Sequence, residues 1–260
     1  MIALSVNLNK VALLRNSREG DNPSVVNAAR TVISAGAYGV TVHPRPDQRH
    51  IRPHDVTDLA ELLATEAPHI ELNIEGNPLA GPRDNGFPGF DALIAAASPA
   101  QCTLVPDSDD QLTSDHGWSL DSSEEVAKVT ALTRRYQATG ARVSLFMNPD
   151  LDQIGRVVDT GAERIELYTG PFAKAVWDHG VASAQAQAAL DHYRTATDHA
   201  TALGLGVNAG HDLDLVNLPL FRTITSVLEV SIGHALIADT LTMGLDAAVR
   251  AYLNALENDR

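Results

Sequence analysis

Strand-like and helix-like segments alternate eight times along the chain, and few architectures accept that order. The strand-like segments run from Ile2 to Leu8, Tyr38 to His43, Ile70 to Glu75 and Gln101 to Val105, then Arg142 to Met147, Glu163 to Tyr168, Gly206 to Ala209 and Ser226 to Ile232. Between them lie stretches with helical spacing. The first starts at Asn22 and Pro23, carries Val25, Ala29, Val32 and Ile33 on one stripe, and stops at Gly36. Others run from about Pro53 to Glu66, Phe90 to Ala97, Ser123 to Thr139, Asp150 to Thr160 and Ala182 to Leu203, with Gly140 and Gly161 as stops. A short helical stretch around Leu215 to Phe221 precedes the last strand, and a closing helix from His234 to Leu256 carries Ile237, Leu241, Leu245, Ala248 and Tyr252. Eight such units in 260 residues fit an α/β fold of the (β/α)8 TIM-barrel type, whose usual length is about 250 residues. No linker interrupts them, so a single catalytic barrel domain over residues 1–260 is expected.

Alternation inside the strands adds a second constraint. Leu4, Val6 and Leu8 alternate with Ser5, Asn7 and Asn9; Leu72 and Ile74 alternate with Glu71, Asn73 and Glu75; Ile165 and Leu167 alternate with Glu166 and Tyr168. The apolar face packs under the helices, so the polar face must point into the barrel, where a carboxylate is costly unless it is paired or protonated. Glu71, which opens its strand, and Glu229, in the middle of its own, are expected to form an interior ion network with Arg142 or Arg164. Glu75 and Glu166 stand nearer the strand ends, where barrels keep their chemistry.

Charge narrows the ligand. The chain carries a net charge of -14, yet in GVTVHPRPDQRHI and just beyond it Arg45, Arg49, His50 and Arg52 crowd the end of the second strand against one acid, Asp47. Pro44 and Pro46 stiffen that loop, and a local cluster of this kind suits a small phosphate or carboxylate. The acidic balance elsewhere argues against non-specific binding to nucleic acid or an anionic membrane. No apolar run approaches the roughly 18 residues of a membrane span, and a strand starting at Ile2 leaves no room for a signal peptide, so a cytoplasmic location is expected. Cys102 is the single cysteine, which rules out an internal disulfide and reads as an inert buried thiol.

The strand ends collect nearly all the reactive side chains: Asn7, Asn9 and Lys10; His43 and Arg45; Asn73 and Glu75; Glu166, Tyr168 and Thr169; Asn208 and His211; Gly233 and His234. Histidines beside a carboxyl raised by burial form a proton-shuttling set near neutral pH. Gly233 begins the final helix, whose backbone N–H groups make a phosphate site. Three other chemistries use the same residues. A lyase or aldolase would form a Schiff base on Lys10, a metal hydrolase would recruit His43, Glu75 and His211 as ligands, and a non-catalytic phosphate-ligand sensor would keep Arg45, Arg18 and Gly233 but have no use for Glu75 and His211.

Eight collinear stretches, SVNLNKVALLRNSR, GVTVHPRPDQRHI, ELNIEGNP, TLVPDSDDQLTSDHG, RVSLF, RIELYTGP, VNAGHDL and SIGHA, together resemble the pyridoxine 5'-phosphate synthase family. The resemblance implies a barrel that assembles as a homo-oligomer, an octamer built from dimers, and uses neither metal nor organic cofactor. It also implies two small phosphorylated substrates, 1-deoxy-D-xylulose 5-phosphate and 3-amino-2-oxopropyl phosphate. By that resemblance His43 and Glu75 are proton acceptors, His211 is a proton donor and Glu166 supports the transition state. Asn7, Arg18, Asp212, Gly233 and His234 would hold the aminoketone phosphate. Asn9, Lys10, Arg45, His50 and Thr113 would hold the sugar phosphate, and the polar loop carrying Thr113 would close over the site. The chain departs from the commoner family pattern in having Asn9-Lys10 for Asp-His, Asp212 for Gly, and a longer loop from Gly76 to Gly89.

Overall fold

In the computed structural model, which describes residues 2–257, eight parallel strands close into a barrel in sequence order, with the last pairing back onto the first. The strands are β1 Ala3–Asn7, β2 Gly39–Val42, β3 Glu71–Gly76, β4 Gln101–Leu104, β5 Arg142–Met147, β6 Arg164–Tyr168, β7 Gly206–Gly210 and β8 Glu229–Ile232. Around them lie α1 Asn9–Asn16, α2 Val25–Ser34, α3 Pro53–Glu66, α4 Phe90–Ala97, α5 Ser123–Gln137 and α6 Leu151–Thr160. The ring is completed by α7 Gly170–His179, α8 Ala184–Ala202, the short α9 Leu218–Phe221, α10 His234–Met243 and α11 Leu245–Leu256. The (β/α)8 expectation is met.

Local chemistry explains most boundaries. The Ser122 side chain accepts from Glu125 N while Glu125 reaches back to Ser122 N, a capping box that starts α5. Asp150 and Ser183 cap α6 and α8 in the same way through Gln153 N and Ala186 N. Three boundaries differ from the sequence reading. Helix α1 was not expected because it lacks a clean stripe: Val11, Ala12 and Arg15 are buried while Leu13 and Leu14 face outward. Helix α7 opens on Gly170-Pro171, which resembles a turn, but proline is at home in a first helical turn. The closing helix is two helices, broken at Gly244, whose φ of +80° favours glycine.

The strand faces divide as the alternation predicts. Leu4, Val6, Val40, Ile74, Leu145 and Ile165 are fully buried between barrel and helices. Inside the barrel the side chains are polar and bonded in strata. At the base, Arg142 pairs with Glu71 and donates to Gln101 at 3.0 Å, while Arg164 donates to Asn208 at 3.1 Å and lies 3.7 Å from Glu229. Glu71 and Glu229 are therefore structural, as expected. Above them Ser5 and Thr41 share a hydroxyl contact of 2.7 Å, and Thr103 donates to Asn73 at 3.0 Å. The top stratum holds Glu75 and Glu166. Cys102 is buried on the outer face, where burial pushes its thiol well up.

Candidate active site

The first two strands are tied at their ends by a relay of amide oxygens. Asn7 Oδ1 accepts from Asn9 N at 3.0 Å, and Asn9 Oδ1 accepts from His43 N at 2.8 Å. Only an acceptor is needed at position 9, and the asparagine amide oxygen supplies it as an aspartate oxygen would. Beyond β2, the loop with Arg45 and His50 is held from below by α1. The Asn16 amide donates to the carbonyls of His50 at 2.7 Å and Arg49 at 3.1 Å, and the buried Arg15 pairs with Asp55 while reaching His50 O at 3.3 Å.

His43 sits buried between two carboxyl groups. Its Nδ1 is 3.8 Å from Glu75 Oε2 and its Nε2 is 3.6 Å from Asp107 Oδ2. Arg45 donates to that same Asp107 oxygen at 2.6 Å and to Gln111 O at 3.1 Å, so it reaches into the polar loop after β4. Glu75 receives Asn7 Nδ2 at 3.4 Å and the Ser231 hydroxyl at 3.5 Å.

A cavity of about 380 Å³ opens over this group. It is lined by Asn7, Asn9, Lys10, His43, Arg45, His50, Glu75 and Thr113, and by Glu166, His211, Asp212, Gly233 and His234. Those are the residues selected from the sequence, except Arg18. Arg18 follows α1 in an exposed segment and does not line the cavity. Sequence reasoning passed over Asp107, Ser114 and Ser231. Asp107 is the first acid beyond the end of β4, a position that should have drawn notice, but the run of acids after it conceals that it alone is buried while Asp109 and Asp110 are exposed.

At the other side of the mouth, His211 and Asp212 take left-handed φ angles of 79° and 60°. Such strain persists only where the surroundings enforce it. The Thr169 hydroxyl donates to the carbonyls of Gly210 and His211, Asn217 donates to Asp212 O at 3.0 Å, and the Phe146 and Tyr168 rings pack 5.0 and 5.6 Å from the His211 ring. A glycine at 212 would adopt this conformation freely, and aspartate tolerates it better than most residues, which accounts for that departure. The start of α10 at Gly233 and His234 also borders the cavity.

Burial sets the protonation states. It raises the Glu75 carboxyl to about 8, helped by Asp107 and Glu229, and raises Glu166 well above the usual range, with Glu75 as its main repelling neighbour. Burial and the nearby Arg45 hold His43 far below its ordinary value and lower His211 to about 4 and His50 to about 3. Near neutral pH the site thus holds neutral imidazoles beside a protonated Glu75, the state from which protons can be both given and taken. Glu166 Oε2 is buried without a hydrogen-bond partner among the described residues, and a Cβ on Gly210 would lie 2.3 Å from its Oε1. Among the described residues no three His, Cys, Asp or Glu side chains are grouped to hold a metal ion.

The chain is similar to known proteins over nearly its whole length. The family model described as "Pyridoxal phosphate biosynthesis protein PdxJ" matches residues 4–258. A pyridoxine 5'-phosphate synthase of Xanthomonas axonopodis pv. citri is 52% identical over 256 residues, covering 98% of this chain and 96% of the relative. The protein of the same name from Xylella fastidiosa is 48% identical over 256 residues, covering 98% and 95%. Among solved structures, 3-hexulose-6-phosphate synthase from Salmonella typhimurium superposes with a TM-score of 0.62 at 14% identity, covering 98% of each chain, a likeness of fold alone.

Proposed function

The chain belongs to the PdxJ family of pyridoxal phosphate biosynthesis proteins, and on that premise we propose that it acts as a pyridoxine 5'-phosphate synthase. It condenses 1-deoxy-D-xylulose 5-phosphate with 3-amino-2-oxopropyl phosphate, forming pyridoxine 5'-phosphate and releasing phosphate and water. The observation that supports this reading is one cavity lined by Lys10 and Arg45 and by the start of α10, around the raised Glu75 carboxyl and the neutral imidazoles of His43 and His211. Arg45, His50 and Thr113, with Asn9 and Lys10, make the seat for the sugar phosphate. Asn7, Asp212 and the start of α10 at Gly233 and His234 make the seat for the aminoketone phosphate, where backbone N–H groups favour an anion.

Ring closure joins an amine to a ketone, expels a phosphate and loses water, so protons are taken up and returned more than once. Neutral His43 accepts, and Glu75 exchanges its proton near pH 8. His211, neutral in the empty site, gains its proton during turnover and returns it as donor, while Glu166 supports the transition state from the cavity wall. The polar loop with Thr113 closes over the site and shields intermediates from water.

The same reading makes the protein a cytoplasmic homo-oligomer, an octamer by family, in a single catalytic domain. In support, no helix among the described residues is long and apolar enough to cross a membrane, and the apolar side chains of Leu241 on α10 and Leu14 on α1 are exposed, Leu241 to 81%. Arg18, exposed beyond the end of α1 and away from the cavity lining, belongs to the aminoketone seat by the family resemblance alone. The decisive experiment incubates the purified protein with both phosphorylated substrates and follows pyridoxine 5'-phosphate together with released phosphate. Binding of both without product would sink the proposal.

A further inference from the structure

One carboxylate outside the proposed catalytic set meets the His43 base, Arg45 of the sugar-phosphate seat and Ser114 of the loop after β4. Asp107 Oδ2 accepts from Arg45 at 2.6 Å and from the Ser114 hydroxyl at 2.8 Å, and it faces His43 Nε2 at 3.6 Å. Its own backbone is fixed by Asn77, whose amide donates to Asp107 O at 2.6 Å. Its second oxygen, Oδ1, is buried without a hydrogen-bond partner among the described residues. A carboxylate that serves only to neutralise Arg45 has no reason to crowd three contacts onto one oxygen and strand the other. Asp107 stands behind Arg45, His43 and Ser114 and does not border the cavity, so it acts through them.

We propose that Asp107 is the positioning residue of the His43 base, holding the imidazole with its Nε2–H toward Oδ2 so that Nδ1 is the free acceptor beside Glu75. The shared oxygen also links that base to the sugar-phosphate seat through Arg45 and to the closing loop through Ser114. The proton arrangement is self-consistent. Protonated Glu75 faces Nδ1, which is then the unprotonated nitrogen, and Nε2–H faces the Asp107 carboxyl, which burial raises while Arg45 and Ser114 pull it back down. Burial lowers the basicity of His43 most, followed by Arg45 and His50 from its own loop, His211 from beyond β7 and Arg49; the carboxyls that face it are Glu75 and Asp107. The inference rests on the proposed reaction for its kinetic consequences, but its geometric content does not.

The first test therefore needs no substrate. In protein labelled with 15N-histidine, the His43 resonances, assigned by their loss in His43→Asn, should show the proton on Nε2; a proton on Nδ1 overturns the proposal. The second compares Asp107→Asn with Asp107→Glu. The asparagine variant should lower kcat by at least about tenfold and move the acid limb of the kcat profile down by about one pH unit, because a less basic His43 both titrates lower and accepts protons more weakly. Its KM for the aminoketone phosphate should stay within about twofold, while glutamate restores part of kcat and of the limb. An unmoved acid limb in Asp107→Asn overturns the proposal even if kcat falls. Absence of product from the wild-type protein would instead defeat the proposed reaction and leave the tautomer result standing.

Discussion

At the base of the barrel Glu71 meets Arg142 and Glu229 faces Arg164, whereas at the mouth Glu75 meets only Asn7, Ser231 and a neutral His43, and one Glu166 oxygen is left without a partner among the described residues. Both regions place carboxyl groups on the inward face of the barrel, and β3 carries one of each, Glu71 at the base and Glu75 at the mouth. What differs is the allotment of cations. The base has two arginines in its interior, while the mouth's Arg45 is bonded to Asp107 and leaves Glu75 unneutralised. Burial raises both carboxyls, Glu229 to about 7 with Arg164 pulling it back and Glu75 to about 8. A paired carboxylate stiffens a wall, and an unpaired one keeps a proton to exchange.

The comparison breaks most sharply at Glu75. Glu75→Gln keeps the shape and both anion seats, so the variant should fold, bind both phosphates by calorimetry, and turn over at least about 100-fold more slowly. Near-normal turnover from acid to alkaline pH would make mouth and base alike, both structural. His211→Asn should slow turnover similarly and let an intermediate accumulate in single-turnover experiments, since donation is then the step that fails.

At the base the expected loss is stability. Arg164→Met leaves Glu229 buried and facing no partner guanidinium at close range, which should cost about 2 kcal/mol in urea unfolding, below the range for fully buried pairs because Arg164 is partly exposed. Replacing both partners by apolar residues should recover much of it, with KM for both substrates unchanged. A loss of activity without a loss of stability would place the base in the chemistry.

The smallest effect is a pH slope. Unfolded carboxyls titrate near 4.5, but folded Glu75 and Glu229 titrate near 8 and 7, so the folded state holds the extra protons and loses stability as pH rises through that interval. His50 and His211 act in the opposite sense: depressed from 6.5 to about 3 and about 4, they contribute fully above 6.5 and lose that contribution as pH falls. Above pH 6.5 only the carboxyl part of this set remains, so the melting temperature should fall toward pH 8 and then level, and Glu75→Gln should flatten that fall. A flat wild-type profile would mean that Glu75 is ionised before and after folding.

The strands and the selected site residues were legible because two periodicities are written directly in residue type: the eightfold alternation fixed the fold, and the rule that chemistry sits at strand ends led to His43, Glu75, Glu166 and His211. Helix α1 was missed because its outward leucines hide the buried side, and α7 because Gly-Pro reads as a turn before it reads as a helix start. Asp107 was illegible for a different reason. Burial of one acid among several in a loop depends on which neighbours fold over it, and Arg45, its principal partner, lies 62 positions away. The departures at 9 and 212 likewise became intelligible only once an amide oxygen and a left-handed φ could be seen.

The close approach of Gly210 to Glu166 turns one letter of the sequence into a witness. Because a methyl group at 210 would stand 2.3 Å from the carboxyl oxygen, no descendant or cousin of this chain can carry alanine or anything larger there with that carboxyl in its present posture. Where such a letter occurs in a relative, the glutamate has been displaced, and the posture of a cavity-lining carboxyl can be inferred from a neighbouring strand before any coordinates exist.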